Sequence, residues 1–187
     1  LETNYALRKL VGEDAFSNGM VSAQQDLVNL VRDIRKTHPA ANPSLRDVEA
    51  SDAALVLGED IINTAPRLAL TLRQTVRNQP MEACGALRIP EWSDKAVRIA
   101  TYGQSGPFYS VTPRATRIDD IATRKLHGAP EDIARIGCAI AHALDASAPK
   151  PEGLSDEEQA FADEAAEALK NAKQPAILSG TSLGSET

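Results

Sequence analysis

Ala53-Ala-Leu-Val-Leu57, closed by Gly58-Glu59-Asp60, is the stretch on which the fold turns. A run with no polar face has to be covered on both sides if it is a strand, which is the situation of a parallel sheet flanked by helices. Pro107-Phe-Tyr-Ser-Val-Thr112 reads as a second such strand, and Ala176-Ile-Leu178 within Pro175-Ala-Ile-Leu-Ser179 as a third. Between them the apolar spacing changes to the helical period. Leu68, Leu72 and Val76 make an inward stripe on a helix that Asn63 or Thr64 can cap and Pro66 can start. Ile133, Ile136, Ile140 and Leu144 repeat the pattern behind Glu131 and Asp132, whose carboxylates suit the positive end of a helix. Ser155 with Glu158 forms a capping box for a helix reaching Lys173. Strands alternating with helices imply right-handed βαβ units. The expected architecture is α/β, a three-layer sandwich with a mostly parallel, Rossmann-like sheet.

Further helices lie outside that frame. Thr3 caps a short one through Val11, and a longer one from Ala23 to Lys36 carries Leu27, Leu30, Val31 and Ile34 on one face. Asn42-Pro43 interrupts the pattern, Ser44 to Glu49 gives one more turn, and residues 79–104, with Pro80, Pro90 and Trp92, read as an extra helical excursion. Asp119 is placed to cap a brief helix, and Ala148 to Gly153 is a linker. Residues 1–187 are expected to form a single α/β domain taken from a larger polypeptide and truncated at both ends. The chain enters a helical pattern straight after Leu1, and no helix follows the last strand and its turn, Gly180 to Gly184.

Composition narrows the function. Apolar residues at 42% and charged residues at 25% describe a globular chain, not a disordered one. Twenty basic residues are scattered among 26 acidic ones for a net charge of -6, so no basic stripe is available for nucleic acid. Cys84 and Cys138 stand far apart without a CxxC pairing, which argues against a zinc site, an iron-sulfur cluster or a disulfide framework and for a reducing compartment. No apolar run approaches the roughly 20 residues that span a bilayer, so a soluble, cytoplasmic domain is expected.

Ligands of open α/β sheets sit at the carboxyl ends of strands, here the turns after Leu57, Thr112 and Ser179. Gly58-Glu59-Asp60 is not a GxGxxG, and it puts carboxylates where a phosphate needs backbone N-H groups. Gly180-Thr-Ser-Leu-Gly184-Ser-Glu186 has no lysine after its second glycine and is not a P-loop. Cys138 and His142 are four apart on a helix, yet two ligands are too few for a metal unless Cys84 and His127 or His38 converge on them. They read as a small core thiol and a satisfied histidine. Asp119 and Asp120 are neighbours that point to different sides of a helix, and no GxSxG elbow occurs. The residues by themselves thus assign no catalytic, cofactor-binding or metal-ligating group.

The order of the segments is itself informative. Thr3-Asn-Tyr-Ala-Leu-Arg-Lys-Leu10, Leu45-Arg-Asp-Val-Glu-Ala-Ser-Asp52 leading into Ala54-Leu-Val-Leu-Gly-Glu-Asp60, and Thr64-Ala-Pro-Arg67 together resemble the molybdopterin-oxidoreductase superfamily. Val56 to Asp60, Leu72-Arg-Gln-Thr-Val-Arg77, Thr116-Arg-Ile-Asp-Asp-Ile-Ala122 and Ala139-Ile-Ala-His-Ala-Leu-Asp145 look most like the large iron-sulfur subunits, the G chains, of bacterial respiratory NADH:quinone oxidoreductase, complex I. The resemblance covers essentially the whole chain. It implies a non-catalytic structural domain of the subunit that passes electrons from NADH toward quinone, with the iron-sulfur clusters of the parent held elsewhere and no cofactor in this segment. It further implies sister domains and neighbouring hydrophilic-arm subunits as partners, and a peripheral position on the cytoplasmic side of the inner membrane. The alternative it carries is a piece of a working molybdopterin oxidoreductase of the formate dehydrogenase kind, with Gly58, Asp60 and Arg114 on the pterin nucleotide. Against that alternative, the Gly-x-Asn and Asp-Pro-Arg patterns of such enzymes are here Gly58-Glu59-Asp60 and Thr112-Pro113-Arg114.

Overall fold

A computed structural model describes residues 2–17, 19, 22–38, 42–90 and 92–181. They fall into two compact units, one within residues 1–42 and one from residue 43 onward. The first contains the helices α1 (Glu2–Val11) and α2 (Ser22–Thr37), close to the expected spans, although α1 already includes Glu2, so Thr3 lies inside its first turn and is not its cap.

The second unit is the α/β body. Its strands are β1 (Ala53–Leu57), β2 (Phe108–Thr112), β3 (Arg124–His127) and β4 (Pro175–Ser179). They form one sheet in the order β3-β2-β1-β4, parallel throughout. The helices are α3 (Leu45–Glu49), α4 (Ile61–Thr64), α5 (Pro66–Ala86), α6 (Asp94–Ala100), α7 (Pro130–Leu144) and α8 (Asp156–Asn171), and a 3-10 turn covers Arg117–Asp120. Because side chains alternate along a strand, β1 sends Ala53 and Leu55 to one face and Ala54 and Val56 to the other. The first pair packs with Tyr109 and Val111 under Ile133, Ile136 and Ile140 of α7 and Phe161, Ala165 and Leu169 of α8. The second pair packs with Phe108 under Ala69, Leu72 and Val76 of α5, closed by Val48 and Ile61. These are the three layers expected from the sequence.

Several details depart from the sequence reading. Asp60, not Asn63 or Thr64, caps the first turn after β1, and Pro66 then starts α5 behind an uncapped Ala65. Asp119 is not itself a cap. Thr116 holds that place, and Asp119 reciprocates from the third position, as in a capping box. Leu144 is 38% exposed at the end of α7, not part of the core. The strand β3 is additional: Arg-Lys-Leu-His carries one apolar residue in four and is recruited by backbone pairing to β2. The strand β4 is an edge, with Ile177 55% exposed, where an apolar run suggested burial on both sides.

Pro80 lies inside α5 without ending it. A proline lacks the N-H that would bond the carbonyl four residues back. That carbonyl belongs to Val76, and it accepts instead from the Gly106 N-H at 2.6 Å. Gly106 can come this close because it has no Cβ; one would stand 3.2 Å from the same oxygen. The helix interruption and the entry into β2 therefore satisfy each other.

Candidate functional site

The connectivity locates the place where a ligand would be sought. From β1 the chain passes through α5 to β2 and then to β3 beside it, and from β3 it returns through α7 and α8 on the opposite face to reach β4. The strand order reverses between β1 and β4, so the switch point lies where Leu57 and Ser179 stand side by side.

Two turns meet there. Gly58 leaves β1 with φ of +72°, a left-handed conformation open to glycine, and its N-H donates to Val111 O at 2.7 Å. The Glu59 carboxylate then lies over Gly180, so closely that a Cβ on Gly180 would collide with it. The opening between β1 and β4 is occupied by the protein's own acid. Of the sequence-derived turn from Gly180 to Glu186, the residues after Thr181 lie outside the described residues.

Asp60 sits beside this point, with its carboxylate already engaged. Oδ1 accepts from the Asn63 backbone N-H at 3.4 Å, Oδ2 accepts from the Asn63 side-chain amide at 2.7 Å, and Arg114 Nη2 approaches Oδ2 at 3.3 Å. The Asn63 amide holds the Asp60 carboxyl below the usual carboxylate range, and Arg114 adds to the effect. The structure thus brings Asp60 and Arg114 together as an ion pair, with the Arg114 side chain 77% exposed. They border a shallow cleft of about 350 Å³ lined also by Asn63, Ala115, Thr116 and Arg117. This cleft follows β1 and β2; it is displaced from the switch point itself.

Beneath the cleft is a polar cluster that sequence reasoning did not assemble. Asp119 is buried, and it accepts from the Thr116 N-H and hydroxyl at 2.9 Å each and from the Ser110 hydroxyl at 3.4 Å. His127, at the end of β3, places Nε2 3.5 Å from Asp119 Oδ2 and Nδ1 3.2 Å from Thr112 Oγ1. Threonine, histidine and aspartate follow one another in space as in an acyl-transfer triad, but with the imidazole reversed, Nδ1 toward the hydroxyl and Nε2 toward the carboxylate. Thr112, however, is 1% exposed and its hydroxyl donates to Arg114 O at 2.9 Å, so its oxygen has no path to a substrate. The cluster ties β2, β3 and the 3-10 turn together. The available signal was the Thr116 to Asp119 spacing; the histidine comes from a strand that periodicity does not reveal.

The cysteines and histidines do not gather. Cys84 is buried with Sγ 4.0 Å from Val97 O, whereas Cys138 is exposed on α7 and so is not the core thiol expected of it. His142 places Nδ1 2.7 Å from Ala148 O, securing the turn after α7. Among the described residues no three His, Cys, Asp or Glu side chains stand close enough to share a metal ion. Asp120 turns away from Asp119 to accept from both terminal guanidinium nitrogens of Arg73, at 2.8 and 2.9 Å, and this bond holds the Asp120 carboxyl below the usual carboxylate range. Among the described residues no helix is long and apolar enough to cross a membrane.

No family model matches the chain. Individual proteins do. The sequence is 45% identical over 186 residues to the G subunit of NADH-quinone oxidoreductase from Pseudomonas fluorescens, covering 100% of this chain and 21% of that protein. It is 42% identical over 183 residues to the protein of that name from Pseudomonas putida and 40% identical over 185 residues to that of Escherichia coli K12, covering 98% and 99% of this chain and 20% of each relative. The chain therefore spans about a fifth of the length of the relatives it matches. The resemblance carried by the ordered sequence motifs holds: along its full length this chain is a homologue of a stretch of the G subunit of NADH-quinone oxidoreductase.

Proposed function

We propose that this segment is a non-catalytic structural domain of the electron-transferring G subunit of NADH:quinone oxidoreductase, packed among sister domains and neighbouring subunits of complex I on the cytoplasmic side of the inner membrane. The observation that carries the reading is the Glu59 carboxylate lying over Gly180 at the switch point. A phosphate there would meet an anion where it needs N-H groups and positive charge. Next to it Asp60 caps the following turn and pairs with Arg114, so the guanidinium that sequence reasoning offered to a nucleotide already faces a carboxylate. Among the described residues every buried side-chain nitrogen and oxygen has a hydrogen-bond partner, so no orphaned group points to a missing guest.

These residues do not fit a pterin nucleotide held by Gly58, Asp60 and Arg114. Nor do they fit a cysteine-bound cluster, since Cys84 is buried and Cys138 exposed on another helix. The clusters expected of the parent subunit belong, on this reading, to other parts of it, and the segment contributes shape and contact surface to the electron path.

The test is calorimetric titration of GDP into the full-length subunit and into the 187-residue segment. Neither is expected to give a binding heat at millimolar nucleotide. Micromolar binding that Asp60→Ala or Arg114→Ala abolishes would overturn the proposal in favour of a nucleotide-holding oxidoreductase domain.

A further inference from the structure

The two edges of the sheet are built differently. At β3, Arg124 and Lys125 sit on the strand, followed by Leu126 and His127. Charges on an outer strand discourage further pairing, so this edge is suited to solvent. At the opposite edge β4 reads Pro175-Ala-Ile-Leu-Ser179, without a charge, and hydrogen-bonds to β1 on one side. Its proline is at the first position, where it does not block the outer row of N-H groups beyond.

The layer of helices also stops short there. Ile177 is paired in register with Leu55, so it faces the α7 and α8 side of the sheet. Leu55 is 1% exposed under those helices, whereas Ile177 is 55% exposed. Ala176 and Leu178, on the other face, pack into the α5 layer. The gap therefore lies on one face and along one edge, at the same strand.

We propose that the outer edge of β4 receives a further parallel strand from the same polypeptide, outside residues 1–187, and that the crossover helix of that strand covers Ile177. Parallel strands are joined through crossovers that place a helix on the sheet face, so one added unit closes both the edge and the exposed isoleucine. A second copy of the chain pairing edge to edge would satisfy the backbone row but bring no helix over Ile177. The source is at hand, because the relatives are about five times longer than the stretch matched here, with 21% and 20% of their length covered. The inference is independent of whether the strand-end mouth holds a nucleotide.

The experiment is thiol labelling of the full-length subunit in its assembled complex, read peptide by peptide in a mass spectrometer. Ile177→Cys is expected to react at least tenfold more slowly than Lys125→Cys on the opposite edge. A short photoreactive crosslinker on Ile177→Cys is expected to reach a peptide of the same polypeptide outside residues 1–187. Equal labelling rates would overturn the proposal, and so would crosslinking to a second copy or to a different subunit. Amide exchange on the unsubstituted complex guards against a folding defect of the variants. The outward amides of β4 should be as protected as those of β1, and exchange at the rate of an open edge would count against the docked strand.

Discussion

Phe161→Ala should remove more stability than any single change at the strand-end mouth. Phe161 is wholly buried where α8 meets the sheet. Its ring meets Tyr109 of β2 edge-on, with centroids 5.6 Å apart and planes at 86°, and the Arg124 guanidinium of β3 lies 5.7 Å from its centroid. One turn further along α8, Glu164 accepts from Tyr109 Oη at 3.2 Å and from Arg124 Nη1 at 2.8 Å. The helix therefore grips the same two sheet residues twice, once by a ring and once by a carboxylate. Truncating a core phenylalanine costs about 3–5 kcal/mol in lost transfer energy and cavity. About 0.5–1.5 kcal/mol of that belongs to the ring-on-ring geometry. The cost is a large fraction of the roughly 5–15 kcal/mol that holds a domain folded, and corresponds to a fall of about 10 °C in Tm at this size. Urea unfolding followed by far-UV circular dichroism is the suitable assay, because Trp92, the one tryptophan, is 86% exposed and a poor reporter of the core. Phe161→Leu, which keeps most of the volume, should lose less. A cycle with Tyr109→Leu should return a coupling between the two rings. A loss below about 1 kcal/mol for Phe161→Ala, or no coupling to Tyr109, would mean that α8 does not seat on β2 and β3 in the way described.

Three further outcomes follow from the same geometry. Gly58→Ala forces a side chain into a left-handed turn at φ of +72° and should destabilise by about 1–2 kcal/mol in denaturant titrations, with Gly58→Asn milder. Burial, then the neighbouring Glu164 carboxylate, pushes the Tyr109 hydroxyl up to about 12 from its ordinary 10.0. A raised value means stability fully present below pH 10 and lost as pH climbs through 12, on the order of 2–3 kcal/mol at one site; unfolding at pH 9 and pH 12 should differ less in Tyr109→Phe than in the parent chain. Asp60→Ala should cost about 1 kcal/mol through the lost cap. The lowered pKa of Asp60 makes its contribution present above about pH 4 and lost as pH falls further, so acid titrations of the two proteins should converge at low pH.

The parts of the fold that were legible are those whose cause is local. The strands β1 and β2 announce themselves because burial on both faces removes polar residues from the run, and α8 because Ser155 and Glu158 satisfy each other three positions apart. What escaped notice depends on residues far away in sequence. The strand β3 is polar in composition, and Arg124 is fixed by Glu164, 40 positions on. The helix α5 continues past Pro80 because Gly106 supplies the donor that the proline lacks. The buried Asp119 with His127 joins a turn to a strand that the apolar period does not mark. At the mouth, the sequence disclosed the acids of Gly58-Glu59-Asp60 but not their engagements, since the contact of Glu59 with Gly180 spans the whole α/β body.

Fold and mouth are carried by different residues, and this separation matters for any reading of function from architecture. The side chains that hold the sandwich point above and below the sheet, from Ala53 to Val56 and from Phe108 to Val111. Those that would meet a ligand stand past the strand ends, at Glu59, Asp60 and Arg114, where Arg114 is largely in solvent and Asp60 caps the adjoining turn and pairs with Arg114. Acids can therefore replace a phosphate cradle with little effect on the core, and the sandwich persists whichever chemistry its rim supports. Gly58 belongs to neither set. Its positive φ and its bond to Val111 O turn the chain out of β1, so it is required with or without a guest. A glycine at a strand end is for that reason a weak witness to nucleotide binding, and the charge of the residues that follow it is the stronger one.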